Sequence, residues 1–230
     1  MGRVPAGGSP HDGQPVLRAG EPLETASAAM IMVHGRGASA ESILTLAAEF
    51  QRPGLAYVAP QAAGGTWYPY PFLAPMDTNE PWLSSALLAL ERTLALVSQH
   101  VPAERVIWLG FSQGACLATE FVARNARRYG GVVGLSGGLI GPPGTPRDYA
   151  GSLDGTPVFL GCSDRDPHIP AERVEESAEV FRRLGGAVTA RLYPGMGHTV
   201  NADEVAFVQG IIDAMPGDGP PPTLPLVTDG

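Results

Sequence analysis

Lysine is missing altogether: every one of the 15 basic residues is an arginine. Chemistry that needs an ε-amine, such as a Schiff base or the phosphate-gripping lysine of a P-loop, is thereby excluded. Cysteine is almost missing. Cys116 and Cys162 are the only two, with neither a disulfide framework nor metal-ligand spacing between them, and both read as small apolar core residues. No H-x-x-H, C-x-x-C or dinucleotide glycine pattern occurs, so neither metal nor cofactor is expected. No apolar run approaches the roughly 18 to 20 residues of a membrane span. The N-terminus also lacks a charged-then-apolar leader, which predicts a cytoplasmic protein without membrane insertion. A basic surplus is lacking too. With 23 acidic residues against 15 basic ones, the net charge is −8, which argues against nucleic acid or an anionic membrane as partner.

What the sequence does have is apolar substance. At 230 residues and 44% hydrophobic, one domain can bury a core without disulfide or metal. The many glycines and prolines concentrate in turns and at both ends. Residues 1–26 read as an arm or edge addition with a short strand at Val16–Leu17, residues 27–215 as the domain, and 216–230, with five prolines, as an extended tail.

Apolar runs bounded by Gly, Pro or Ser predict strands at Ala29–His34, Leu55–Ala59, Arg105–Phe111, Val132–Ser136, Pro157–Cys162 and Val188–Tyr193, as expected of parallel strands covered on both faces. Helical spacing predicts Ser84–Gln99, on Leu87, Leu90, Leu94 and Val97. It also predicts Glu172–Leu184, on Val174, Ala178, Phe181 and Leu184, and Glu204–Met215, on Val205, Val208, Ile212 and Met215. The alternation implies an α/β sandwich around a mostly parallel central sheet, with helices on both faces. Function in such sheets lies beyond the carboxyl ends of the strands.

G-x-S-x-G occurs twice, at Gly110–Gly114 and Gly134–Gly138, so the pattern alone decides nothing. The chemistry requires a strand, a sharp turn and a helix in immediate succession. Ser112 follows RVIWLGF and precedes ACLATEFVARNARR. Ser136 is followed by Leu139-Ile140-Gly141-Pro142-Pro143, which cannot start a regular helix. Ser112 is the candidate nucleophile and Ser136 a loop serine.

A serine needs a base and an acid that orients it, in the chain order Ser, Asp, His for this arrangement. Two aspartates, Asp164 and Asp166, follow the strand ending at Cys162, and His198 follows the strand ending at Tyr193. Asp166 is the preferred acid because it stands directly before Pro167-His168-Ile169-Pro170; Asp164 would then brace the loop. His198 is the base, His168 a residue of the pocket rim or the surface, and His11 and His100 solvated. The oxyanion needs two donors. These are assigned to the backbone N–H of Gln113, next to the nucleophile, and that of Arg36 in His34-Gly35-Arg36-Gly37-Ala38, with His34 holding the loop.

HGRGA, PQAAGGTWYP, GFSQG, DPHIP and GMGH together resemble the phospholipase/carboxylesterase family of α/β-hydrolases, over about residues 27–214. The resemblance implies the α/β-hydrolase fold without a large cap domain, Ser112, Asp166 and His198 as triad, and Arg36 and Gln113 as oxyanion donors; small members of the family often form homodimers. Thioesterase-like members usually read HGLGD where this chain reads HGRGA. The aromatic and proline-rich segment Thr66–Pro75 either lines an acyl or alcohol pocket, with Trp67 as its wall beside Tyr68, Phe72 and His168, or covers the core. The expected activity is a serine carboxylesterase acting on small, short- to medium-chain esters. The alternatives are a lysophospholipase or acyl-protein thioesterase taking long acyl chains, and a non-catalytic binding module of the same fold.

Overall fold

In the computed structural model, which describes residues 9–50 and 52–215, seven strands form one sheet. They are β1 (Val16–Gly20), β2 (Ala28–Val33), β3 (Leu55–Pro60), β4 (Val106–Phe111), β5 (Gly131–Leu135), β6 (Pro157–Ser163) and β7 (Ala187–Tyr193). Their order across the sheet is β1-β3-β2-β4-β5-β6-β7. All neighbours are parallel except β1, which runs antiparallel to β3 with Val16 opposite Pro60. Val16–Gly20, ahead of residue 27, is thus built into the sheet edge, a strand longer than Val16–Leu17. The proline-rich stretch 216–230 lies outside the described residues.

The helices are α1 (Ala40–Leu44), α2 (Trp82–Val97), α3 (Gln113–Arg124), α4 (Ala171–Arg183) and α5 (Ala202–Ala214). Side chains alternate across a strand, and the apolar strands therefore feed two cores. Ala29, Ile31 and Val33 of β2 join the core beneath α2, α3 and α4, while Ala28, Met30 and Met32 join the one beneath α1 and α5. Burial on both faces explains why the central strands read as unbroken apolar runs. Each predicted helix exists with ends shifted by one or two residues. On α2 the fully buried face is Leu83, Ala86, Leu90, Leu94 and Val97, with Leu87 at its flank. The five-residue α1 was not predicted; a capping box between Ser39 and Ser42 starts it.

Parallel order places the turns after β2, β4, β6 and β7 at one rim of the sheet. That rim collects the residues singled out in the sequence.

Candidate active site

Ser112 stands between β4 and α3 with φ 55° and ψ −121°, a left-handed conformation that is costly for a non-glycine residue. The flanking glycines make the turn sterically feasible. A Cβ on Gly110 would sit 2.4 Å from the Gly114 carbonyl oxygen, and one on Gly114 would sit 2.1 Å from that of Val33. Gly110 thus lets α3 start close against β4, and Gly114 lets it approach β2.

Three turns then meet. His198 Nε2 lies 2.8 Å from Ser112 Oγ, and its Nδ1 lies 2.7 Å from Asp166 Oδ2. This arrangement leaves Nδ1–H as the donor to the carboxylate and Nε2 free to accept the serine proton. Asp166 is held from the other side. Its Oδ1 accepts the backbone N–H of His168 at 2.8 Å and of Ile169 at 3.1 Å, and the Cys162 thiol donates to Oδ2 at 3.7 Å. Burial works against the Asp166 charge, but the hydrogen bonds from His198 and the two backbone N–H groups outweigh it, so its pKa lies below the ordinary carboxylate value. Asp166 therefore stays ionised through the range in which a histidine titrates. Asp164 does not reach His198; its Oδ1 accepts Gly195 N–H at 2.8 Å and so ties the β6 turn to the β7 turn.

Beside Ser112 the loop after β2 closes in, and a Cβ on Gly35 would lie 3.4 Å from the serine Cβ. Among the described residues, the backbone N–H groups of Arg36 and Gln113 find no acceptor. Two unsatisfied donors flanking a serine hydroxyl are what a developing oxyanion requires. They open onto a cavity of about 530 Å³, with apolar walls that include Phe72, Phe111 and Ile169 and with His168 at its lip. Tyr68 and Cys116 lie beneath it, and burial first of all pushes the Cys116 thiol up to about 12, which leaves it inert as a nucleophile. Among the described residues no group of three His, Cys, Asp or Glu could hold a metal, and no helix is long and apolar enough to cross a membrane.

Residues 17–215, most of the chain, match the phospholipase/carboxylesterase family. The chain belongs to that family. Its members are serine hydrolases with the α/β-hydrolase fold. A solved phospholipase/carboxylesterase from Dyadobacter fermentans is 40% identical and superposes with a TM-score of 0.83, over 86% of this chain and 96% of that one. The carboxylesterase of Bacillus cereus shares the fold at a TM-score of 0.72 and 18% identity, over 88% and 94% of the two chains. An acyl-protein thioesterase 1 from Gibberella zeae is 32% identical over 119 residues, 50% of either chain. The chain thus spans about half the length of the curated relatives it matches.

Several expectations for this family member need correcting. Trp67 is no pocket wall. It is fully buried behind the loop that follows β2, where its indole N–H donates to the His34 carbonyl at 2.8 Å and its ring lies against His34 and His11. His11 is not solvated either: its Nδ1 accepts Ala63 N–H and its Nε2–H donates to the Trp67 carbonyl. Burial lowers the pKa of both His11 and His34, which keeps them neutral structural groups. His34 does hold its loop, donating from Nδ1 to Gly35 O and accepting Ala62 N–H at Nε2. Ser136 shares the positive φ of Ser112, at 51°, but its hydroxyl is buried. The Gln113 side chain carried no role in the sequence analysis. It accepts Trp67 N–H at 3.0 Å and donates to the Tyr68 carbonyl at 2.8 Å, partners that lie 45 or more residues away.

Proposed function

We propose that this chain is a serine carboxylesterase that cleaves short- to medium-chain carboxylic esters through an acyl-enzyme. The observation that carries the reading is the unbroken hydrogen-bond chain from Ser112 through His198 to Asp166 at the floor of an apolar cavity. His198 Nε2 takes the hydroxyl proton as Ser112 Oγ attacks the ester carbonyl carbon, and Asp166 steadies the imidazolium. The oxyanion is received by the N–H groups of Arg36 and Gln113. On collapse the C–O bond breaks, and the alcohol departs with the proton from Nε2. Water then gives a proton to the same nitrogen, attacks the acyl carbon and releases the acid with Ser112 restored.

A long-chain reading draws on the thioesterase relatives. Against it stands the charged Arg36 side chain among the lining of the cavity. The separating experiment is turnover of p-nitrophenyl esters from acetate to palmitate, with Ser112→Ala alongside. A maximum at two to six carbons, lost in the variant, supports the short-chain esterase. A maximum at ten carbons or beyond supports the thioesterase or lysophospholipase reading. No turnover at any length, with no labelling of Ser112 by a fluorophosphonate, supports a binding module.

A further inference from the structure

We propose that the Arg36 guanidinium is a positioning group that fixes the oxyanion hole by tying the loop after β2 to segment 66–70; this rests on the reading of Arg36 N–H as an oxyanion donor. Glycines stand on both sides of Arg36, and Gly37 adopts φ 74°, so the local chain has little stiffness of its own. An oxyanion donor is effective only when its direction is set before the reaction. The Gly35–Arg36 peptide is set at its carbonyl end by two hydrogen bonds, because Gly35 O accepts from His34 Nδ1 at 2.8 Å and from Ala38 N–H at 3.2 Å. On its other side Gly37 N–H donates to Gly65 O at 2.7 Å, and the Arg36 side chain extends that tie to segment 66–70.

That side chain holds neutral oxygens, as Arg128 does at the Asp154 carbonyl. Arg92, Arg124, Arg147, Arg173, Arg182 and Arg191 all face carboxylates. Arg36, although exposed and in a chain of net charge −8, meets only neutral oxygens. Its Nη1 donates to Thr66 Oγ1 at 3.2 Å and to Pro69 O at 2.9 Å, and its Nη2 donates to Tyr70 O at 3.0 Å. A planar fork can span two successive carbonyls and a hydroxyl; a lysine ammonium cannot reproduce that geometry. From the opposite side, Gln113 grips the same segment at Trp67 N–H and Tyr68 O, and its Oε1 lies 3.3 Å from the Thr66 hydroxyl. The two residues proposed to supply the donors are therefore joined through their side chains, by way of Thr66. Displacement of segment 66–70 would move both N–H groups together.

The test compares wild type, Arg36→Ala, Arg36→Lys, Thr66→Val and Thr66→Ser on the best p-nitrophenyl ester, with inhibition by the trifluoromethyl ketone of matching chain length. Activity in wild type that vanishes in Ser112→Ala comes first. Its absence overturns the esterase reading, and the clamp with it. Given that activity, Arg36→Ala should lower kcat about 10- to 100-fold, less than the loss of a whole oxyanion donor, with KM changed less than about threefold. Binding of the ketone, which forms an oxyanion, should weaken by the same factor as kcat. Arg36→Lys should behave like Arg36→Ala, and added methylguanidinium should restore part of the Arg36→Ala rate. Thr66→Ser should retain activity that Thr66→Val loses. Unchanged kcat and ketone affinity in Arg36→Ala overturn the proposal. So does a raised KM at constant kcat, which would make the guanidinium a substrate contact, and so does full recovery in Arg36→Lys, which would make the charge alone sufficient.

Discussion

The Cys162 thiol donates to the Asp166 carboxylate oxygen that also receives His198 Nδ1–H, so two donors share Oδ2. Burial first, and then the neighbouring Asp166 charge, push the thiol up to about 12, which keeps it protonated and donating. Removing that donor leaves Oδ2 with His198 Nδ1–H as its one remaining partner among the described residues, so the carboxylate that orients the imidazole is held less firmly. Cys162→Val should therefore lower kcat about 2- to 10-fold, with KM little changed. An unchanged kcat would reduce the thiol to a packing role.

The two aspartates of the β6 turn should separate cleanly. Asp166→Asn removes the charge that orients His198 and should lower kcat by about 10⁴-fold. Asp164→Asn weakens only the tie to Gly195 and should cost activity less than about tenfold. Steady-state kinetics of the pair decides it, and a larger loss at Asp164 would reverse the assignment.

Glu204 is a buried carboxyl at the start of α5. Its Oε2 accepts Asn201 N–H at 2.9 Å, while Oε1 has no partner among the described residues and packs against Gly161. Burial, only partly offset by that hydrogen bond, raises its pKa from 4.5 to about 7. Between those two values the folded protein holds a proton that the unfolded chain releases, so this group makes stability fall as pH rises. The penalty is absent below about 4.5 and complete above about 7. Glu204→Gln should gain stability over wild type progressively across that window, read as the difference in denaturant midpoint at constant slope. A difference independent of pH would refute the raised pKa.

Glycine substitutions offer a contrast between close approach and open space. Gly114→Ala forces a methyl to within 2.1 Å of the Val33 carbonyl oxygen and should unseat α3, with loss of both folding yield and activity. Gly210 lies in α5 with nothing near its missing side chain, and Gly210→Ala should stabilise by about 0.5–1 kcal/mol. Thermal melts of the two variants check both statements.

The sheet and the order of the candidate triad were legible because each depends on local pattern. Continuous apolar runs mark strands buried on two faces, and Ser112, Asp166 and His198 each follow one of them. Two features of the site were not legible. Trp67 looked like a pocket wall because an aromatic in a proline-rich loop carries no mark of where its N–H will find an acceptor, and that acceptor is His34, 33 residues away. His11 looked free for the same reason: its partners, Ala63 and Trp67, meet it only after β1 pairs with β3. The short α1 rests on a two-serine cap rather than on apolar spacing, so periodicity could not reveal it.

The position of β7 sets how the molecule should fail on warming. This strand has a neighbour on one side only, and the turn that follows it carries His198. Ser112 follows β4, three places further in. Fraying that begins at the free edge would part base from nucleophile while six strands and most helical content persist. Catalysis would then be the earlier thermometer, fading reversibly at temperatures where circular dichroism still records a folded chain.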